Sequence, residues 1–498
     1  MGTLTDNKPK ALVAVENLPM LFHLFRQFPR ANFIIIADYK KDVMRRYLST
    51  FADVSWQIVE ASGRGNCAGL ARAAAQVPEG EPFMLIWSDL LLPDAFSMPE
   101  GYGPGEHPRR DYVGLSVDFP CRWMYRDGAF SESPSDQYGV AGCFWFTDRE
   151  KLRDVPEEGE FVQWLAETGA APAPFGMSRT REFGTLESFS ALPVPRCRPF
   201  NRLRVDGELL IKEPADPQGE QLAVHERAWY KAVMGTPLGF LPRIEALEPL
   251  RMEYIRGRAL HEYDCSPEEK QRLVATIVAD LRAIHALQTA PTDRQSMAEA
   301  YYIKTMDRLE KVRELIPFSD REVITVNGRR CRNVFFHREE LKKRLEALEC
   351  PRFTLIHGDC TFSNILVRDT GEPVFLDPRG YFGHTALYGD PCYDWAKLYY
   401  SVAGNYDSFN LGRFRLEIGG PDGTTGTSLP EGEVNLTIHS NGWEPFSDEL
   451  LSLTGADRQE IRLLHAVIWL SLTTYAWQNY DSICGAFYNG LYYLEEVL

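Results

Sequence analysis

The sequence predicts a chain of two domains, an α/β sandwich followed by an α+β domain with its own pattern of strands and helices. The chain has 498 residues, which is more than one hydrophobic core usually organises. Near residues 191–200, closely spaced prolines discourage regular structure, and a new pattern begins after them. We therefore place the domains at residues 1–190 and 198–498.

Alternating strands and helices predict the first domain. The apolar runs NFIIIADY and EPFMLIWSDLLL are typical of buried strands, and GLARAAAQV between them has a helix-forming composition. In the second domain, RLRVDGELLIKEP predicts a hairpin, because Asp-Gly is a favoured tight turn. The segment 268–287 has leucine and isoleucine at helical spacing. The tail from Ala456 is predicted to be helical, after a loop or hairpin insertion at 419–436.

Composition and charge argue against several classes of protein. The net charge of -16 and the lack of a long basic run argue against a nucleic-acid binder. Ten cysteines without a Cys-x-x-Cys pair predict free thiols in a reducing compartment. The N-terminus lacks a secretion-signal pattern, and the uncharged segment 463–480 carries polar side chains that favour a buried helix over membrane insertion. The predicted location is the cytoplasm.

The segment HGDCTFSNILV (357–367) has an acid and an amide at a spacing that suits phosphoryl transfer. This reaction needs a group that orients the acceptor hydroxyl and accepts its proton, together with oxygen ligands for magnesium. Asp359 and Asn364 lie five positions apart, as the corresponding residues do in a kinase catalytic loop, and Asp377 ends the following apolar run PVFLD. This order is typical of a kinase active site.

Residues upstream extend the pattern. Lys212 lies on a predicted strand and Glu226 on the next predicted helix, and such a pair positions the α- and β-phosphates in kinases. The segment LRMEYIRGRAL is predicted to be the hinge between two lobes, where backbone groups around Glu253 and Tyr254 would meet adenine. A glycine-rich phosphate loop is missing, since Gly207 is the only glycine between residues 200 and 212.

From about residue 198 to its end, the chain resembles the aminoglycoside phosphotransferase and choline kinase superfamily. The resemblance is carried by LIHGDCTFSNILV, VFLDPRG and GDPCYDWAKLYYS. It implies a bilobal protein-kinase-like fold that uses ATP and Mg²⁺, with Asp359 as the catalytic base and Asn364 and Asp377 as magnesium ligands. Asp394 would be a structural acid that braces the site.

Two interpretations of the acceptor stay open. Aromatic side chains and acids hold quaternary ammonium groups in choline-type sites, and the tail offers Trp469, Tyr475, Trp477 and Tyr480. Aromatic residues at this spacing are more often part of a core. Lys304 and Arg308 lie four apart on one predicted helix and could attract an anionic or sugar-like acceptor, although a solvated charged face is the more common reason for such a pair.

Residues 1–190 resemble the sugar-phosphate and phosphocholine nucleotidylyltransferases, which have a Rossmann-like sandwich. Lys10 matches a phosphate-binding lysine in the family's PKAL segment, and Asp89 matches a metal-binding acid at a strand end. Glu182 stands where the family usually has a second metal-binding Asp. Relative to this family, the chain begins inside the glycine-rich loop, so that the first strand and most of the loop glycines are missing. A folded but catalytically weak domain is as strong an interpretation as an active one.

The combined hypothesis is a small-molecule kinase that phosphorylates choline, an amino alcohol or a sugar-like alcohol. The first domain would then activate the product with CTP or another nucleoside triphosphate for the synthesis of a cell-surface polysaccharide. Two alternatives stay open. One is a single-activity kinase whose first domain is a scaffold or organises a homodimer, and the other is a regulatory pseudokinase that only binds nucleotide.

Overall fold

A computed structural model of the chain describes residues 2–103, 105–190, 201–420 and 429–498. The chain divides into two compact units, Met1–Pro193 with Gln478–Tyr480, and Val194–Trp477 with Asp481–Leu498. The predicted proline-rich seam at 191–200 lies outside the described residues. Among the residues that are described, no helix combines the length and apolar character needed to cross a bilayer.

The first unit has mixed α/β content. Its largest sheet is centred on Gly139–Phe146, a strand with every residue buried, which pairs antiparallel with Phe83–Ile86 and Tyr112–Ser116. Ala173–Gly176 adds to this sheet in parallel. The predicted strand at 32–39 is confirmed as Asn32–Ala37, which forms a separate parallel ladder with Ser55–Glu60.

A bulge in the central strand depends on a glycine. The pairing register shifts between Val140 and Phe144, and Gly142 between them has a φ of 77°. A side chain at Gly142 would occupy the space of the Trp87 indole. This position therefore requires glycine for both conformation and space.

The remaining bounds of the first unit follow the chain. The α-helices, α1 to α5, are Met20–Gln27, Lys41–Phe51, Leu70–Ala74, Phe161–Glu167 and Leu186–Ser190. The other strands are Ala14–Val15, Leu18–Pro19, Leu90–Leu91, Met124–Arg126, Ala129–Ser131 and Arg181–Glu182.

The second unit begins with a four-stranded antiparallel sheet. The predicted hairpin is confirmed as Asn201–Asp206 and Leu209–Pro214, and Gly207 in its turn has a φ of 62°. Leu250–Glu253 pairs with the second hairpin strand and with Ile244–Leu247. The helix that follows the hairpin, α6 (Pro217–Val233), starts at Asp216, whose carboxylate accepts a hydrogen bond from the Gly219 amide.

The rest of the second unit is mainly helical. The predicted amphipathic helix is confirmed as α7 (Pro267–Leu287), and it buries its leucine and isoleucine positions. The helix predicted over 463–480 is shorter, because it belongs to Arg458–Ser471 and the chain turns before the next helix begins at Tyr480. The predicted insertion is a hairpin of Phe414–Ile418 and Glu433–Ile438, and its residues 421–428 lie outside the description.

The bounds of the second unit complete the fold. The α-helices after α7, α8 to α15, are Arg294–Ala298, Lys304–Val312, Arg338–Glu346, Pro391–Val402, Tyr406–Asn410, Ser447–Thr454, Arg458–Ser471 and Tyr480–Leu494. The other strands are Gly257–Ala259, Thr289–Ala290, Val323–Val326, Arg329–Arg332, Phe353–Leu355, Ile365–Arg368, Pro373–Phe375, Tyr381–Phe382, Thr385–Ala386 and Tyr388–Gly389.

Candidate active site

Lys212 joins two of the predicted acids. Its Nζ lies 2.9 Å from Glu226 Oε1 and 2.9 Å from Asp377 Oδ1, although Asp377 is 165 positions away in the sequence. Burial opposes the charge of Lys212, but the attraction of Asp377 and Glu226 is stronger, so the pKa of Lys212 is raised. Burial raises the pKa of Glu226 despite the opposing effect of Lys212. The second hairpin strand and α6 therefore present an ion-paired lysine to the residue that follows the PVFL run.

Asp359 and Asn364 are held together by the amide of Asn364. Asn364 Nδ2 donates to the backbone oxygen of Asp359 at 2.8 Å and to its carboxylate at 3.2 Å. The strands Ile365–Arg368 and Pro373–Phe375 pair with each other, and the Leu376 amide donates to the Asn364 carbonyl. This pairing brings Asn364 and Asp377 to the same end of a hairpin, so that an amide oxygen and a carboxylate lie on one side of the candidate base.

Asp394 braces the loop that carries Asp359. It is fully buried, and its carboxylate accepts hydrogen bonds from the amides of His357 at 2.8 Å and Gly358 at 2.7 Å. His285 Nε2 lies 2.9 Å from the same carboxylate. The N-terminus of the helix that contains Asp394 is capped by a different acid, Asp390, whose carboxylate accepts from the Cys392 amide. Asp394 thus fixes the backbone of the HGD segment.

Lys397 is a functional candidate that the sequence analysis missed. It lies on α11 (Pro391–Val402), and its Nζ is 2.9 Å from Asp359 Oδ1. Burial disfavours its charge, but the attraction of Asp359 raises its pKa. The available signal was a single lysine on a helix that is otherwise almost entirely buried. A buried lysine needs an anionic partner, and Asp359 is that partner.

The two predicted hinge residues use their amides within the protein. The Glu253 amide donates to the Arg243 carbonyl, and the Tyr254 amide donates to the Glu208 carbonyl. The Glu253 carboxylate accepts from Arg368 at 2.7 Å, which lowers the pKa of Glu253. Neither amide is available to adenine in this arrangement, which corrects the expectation for these donors. Within the described residues, the next amide, that of Ile255, has no hydrogen-bond acceptor.

The largest cavity reported for the second unit does not coincide with these groups. It has a volume of about 330 Å³ and is lined by the end of α6, residues 234–244, Glu253 and Arg368. Lys212, Asp359 and Asp377 do not line it. This cavity therefore lies behind the hinge, and we assign it no part in the chemistry of the candidate site.

The first unit gathers its three predicted residues in a separate cluster. Lys10 Nζ lies 2.5 Å from Asp89 Oδ2, and the short strand of Glu182 pairs with Leu90–Leu91 directly after Asp89. Burial, and next the charge of Asp89, raises the pKa of Glu182. The other Asp89 oxygen, Oδ1, is buried and accepts no hydrogen bond from the part of the chain that is described. Two carboxylates and a lysine thus share one site, as a bound cation or phosphate would require.

Comparison with protein families identifies the class of the second unit. Residues 238–424 match the model of the phosphotransferase enzyme family APH. The C-terminal region therefore carries an APH phosphotransferase domain, with the kinase-like fold of that family. The match starts after Lys212 and Glu226 and includes Asp359, Asn364, Asp377 and Lys397.

Several solved structures are similar to parts of the chain. A choline/ethanolamine kinase family protein from Mesorhizobium loti is 18% identical, with a TM-score of 0.33, and the match covers 59% of this chain and 81% of that one. LicA in complex with AMP is 12% identical, with a TM-score of 0.37 and coverage of 62% and 92%. HddC from Yersinia pseudotuberculosis is 13% identical, with a TM-score of 0.31 and coverage of 37% and 88%. No curated protein matches the chain significantly.

Proposed function

We propose that the second unit is a kinase that transfers the γ-phosphoryl group of ATP to a hydroxyl of a small alcohol. The observation that carries this proposal is the meeting of Lys212 with Glu226 and Asp377, at 2.9 Å each. Three residues from distant segments converge in the order that phosphoryl transfer uses. The family match at residues 238–424 supports the same reaction class.

Each side chain has a role that follows from its position. Asp359 accepts the proton of the acceptor hydroxyl, and Asn364 holds its carboxylate in one orientation. Lys212 binds phosphate oxygens while Glu226 fixes its ammonium group. Asn364 and Asp377 offer an amide oxygen and a carboxylate, which are hard oxygen donors that suit Mg²⁺. When bound there, Mg²⁺ would neutralise charge on the phosphates.

Lys397 supplies a positive charge next to the base. Phosphoryl transfer spreads negative charge over the transferred group, and a fixed cation stabilises that charge more in the transition state than in the ground state. We expect Lys397→Met to lower kcat by about 10- to 100-fold with little change in KM for ATP, as a lost electrostatic group of this kind does. Lys397→Arg keeps the charge and should recover part of kcat. A KM effect without a kcat effect would contradict this role.

The test of the kinase proposal is ADP release with Mg²⁺ and ATP across a panel of alcohols: choline, ethanolamine, polyols, sugars, aminoglycosides and their phosphorylated or carboxylated counterparts. Turnover that needs both Asp359 and one acceptor supports the kinase. Binding of ATP without turnover on any acceptor would favour the alternative of a regulatory pseudokinase. A kinase whose first unit releases no pyrophosphate would favour the alternative of a scaffold domain.

A second activity is proposed for the first unit, as a nucleotidyltransferase. The observation that favours it is the buried Asp89 Oδ1, which lacks a donor among the described residues while Lys10 and Glu182 lie beside the same carboxylate. The phosphorylated product of the kinase would be the substrate, and CTP or another nucleoside triphosphate would supply the nucleotide. Such a product could serve the synthesis of a cell-surface polysaccharide.

We expect pyrophosphate release when the kinase product is supplied with the correct nucleoside triphosphate and Mg²⁺. Asp89→Asn should lower this release by at least about 100-fold, because a charged metal ligand is lost. Kinase turnover should be unchanged in the same variant. The exposed acid Asp94 provides a matched control as Asp94→Asn. Absence of pyrophosphate release with all four common nucleoside triphosphates would contradict the second activity.

A further inference from the structure

Four cationic side chains converge beside the candidate base. Lys304 and Arg308 lie one turn apart on α9, Arg379 follows Asp377 by two positions, and Lys397 contacts Asp359. The first two are half-buried, which corrects the expectation of a solvated charged face. Burial, and then the charges of Arg379, Arg308 and Lys397, hold the pKa of Lys304 well below its usual range. The four cations therefore act on one small region.

Neutral groups hold the two guanidinium groups in place. Arg308 Nη1 donates to the backbone oxygen of Ser471 at 2.7 Å and to its hydroxyl at 3.0 Å. Arg379 donates to the hydroxyls of Tyr393 at 2.8 Å and Tyr381 at 3.1 Å, with its guanidinium over the Tyr381 ring. These contacts fix orientation without neutralising charge.

The cluster has fewer anions than cations. Lys397 pairs with Asp359, whereas Lys304, Arg308 and Arg379 have no carboxylate at ion-pair distance anywhere in the described ranges. Asp377 is engaged by Lys212. Like charges in a partly desolvated site repel each other unless an anion joins them. Lys212 and Lys397 can serve the phosphates of ATP, which leaves the other three cations for a different ligand.

We infer that the acceptor alcohol carries an anionic group of its own, a phosphate or a carboxylate, which Lys304, Arg308 and Arg379 bind while its hydroxyl faces Asp359. This inference rests on the proposed kinase function and names its substrate class. Choline and aminoglycosides, as cations, would be repelled. The aromatic alternative loses support as well, since Trp469 and Tyr480 are buried in the core and Trp469 donates to His465.

Binding without turnover tests the inference independently of catalysis. The full chain is loaded with Mg²⁺ and the non-hydrolysable analogue AMP-PNP, so that the ATP phosphates are already in place. Inorganic phosphate, glycerol 3-phosphate, glycerate, glycerol and choline are then titrated by calorimetry. We expect the anionic probes to bind at least tenfold more tightly than glycerol, and glycerol 3-phosphate and glycerate to show whether phosphate or carboxylate is preferred. Equal affinities, or tighter binding of choline, would overturn the inference.

Variants locate the anion. Lys304→Met and Arg308→Met should each weaken binding of inorganic phosphate by at least tenfold, while affinity for AMP-PNP stays within about twofold. Lys311→Met, on the exposed side of the same helix, is the matched control and should bind phosphate normally. Because Arg308 also contacts Ser471, the unliganded melting temperature is measured for each variant, and Lys304→Gln provides a second probe. Unchanged phosphate affinity in the Lys304 variants would overturn the assignment.

The two proposals fail separately. If AMP-PNP does not bind, or if Asp359→Asn turns over as fast as the wild type, the kinase function itself is wrong. If the kinase is active but prefers neutral or cationic members of matched alcohol pairs in kcat/KM, only the substrate class is wrong. The expected result is a preference of at least tenfold for the anionic member, reduced in Lys304→Met.

Discussion

Asp359→Asn should lower kcat by about 1,000-fold or more, within the range expected for the loss of a general base. Asparagine has nearly the same shape and can still accept a hydrogen bond from Lys397, but it cannot take the proton of the acceptor hydroxyl. We therefore expect KM for ATP to change little and the folded structure to persist. Coupled ADP release at saturating ATP, across a range of acceptor concentrations, measures both quantities.

The control for this variant is Asp369→Asn. Asp369 is exposed in a turn ten residues along the same segment, and the same chemical change there should leave kcat within about twofold. Residual activity above a tenth of the wild-type value in Asp359→Asn would show that another group takes the proton. His357 would then be the next candidate, although burial lowers its pKa and it is held in the loop.

Asp394→Ala should destabilise the second unit by about 3–5 kcal/mol, as expected when one partner of a buried charged network is removed. The substitution leaves two loop amides, those of His357 and Gly358, and the His285 ring without their acceptor. Total stabilities are commonly about 5–15 kcal/mol, so a large part of the margin would be lost. Urea unfolding followed by circular dichroism provides the measurement, and kinase activity should fall as the HGD segment loosens.

The pH dependence of this effect has a definite sign. Burial would raise the pKa of Asp394, but the hydrogen bond and charge of His285 outweigh it, so the pKa lies below its ordinary value. A carboxylate with a lowered pKa contributes stability above its unfolded value, about 3.9, and loses it as the pH falls through the folded value. The difference between Asp394→Ala and the wild type should therefore persist from pH 5 to pH 8.

Asp457→Ala is the matched control for a capping acid. Asp457 accepts from the amides of Gln459 and Glu460 at the start of an exposed helix turn. Its loss should cost only about 1 kcal/mol, the usual value for a cap. Equal destabilisation by the two substitutions would contradict the bracing role of Asp394.

The sequence by itself determined the features that depend on neighbours along the chain. The hairpin at 201–214 follows from a turn dipeptide between apolar residues, and α7 follows from periodic leucine and isoleucine. The spacing of Asp359 and Asn364 also follows from local order, because five positions in one loop return the amide to the acid. These are short-range relations, which a linear pattern records directly.

Only the tertiary structure decided the features that depend on contacts between distant segments. Lys397 meets Asp359 from a helix that begins 32 positions later, and the ends of β-strands, not residue type, commit the Glu253 and Tyr254 amides to the sheet. Lys304 and Arg308 have the same sequence pattern as a solvated helix face, and only packing against α14 and the Arg379 segment turns that face inward. Burial and charge proximity are properties of three-dimensional packing, so the order of residues alone could not show which cations surround the base.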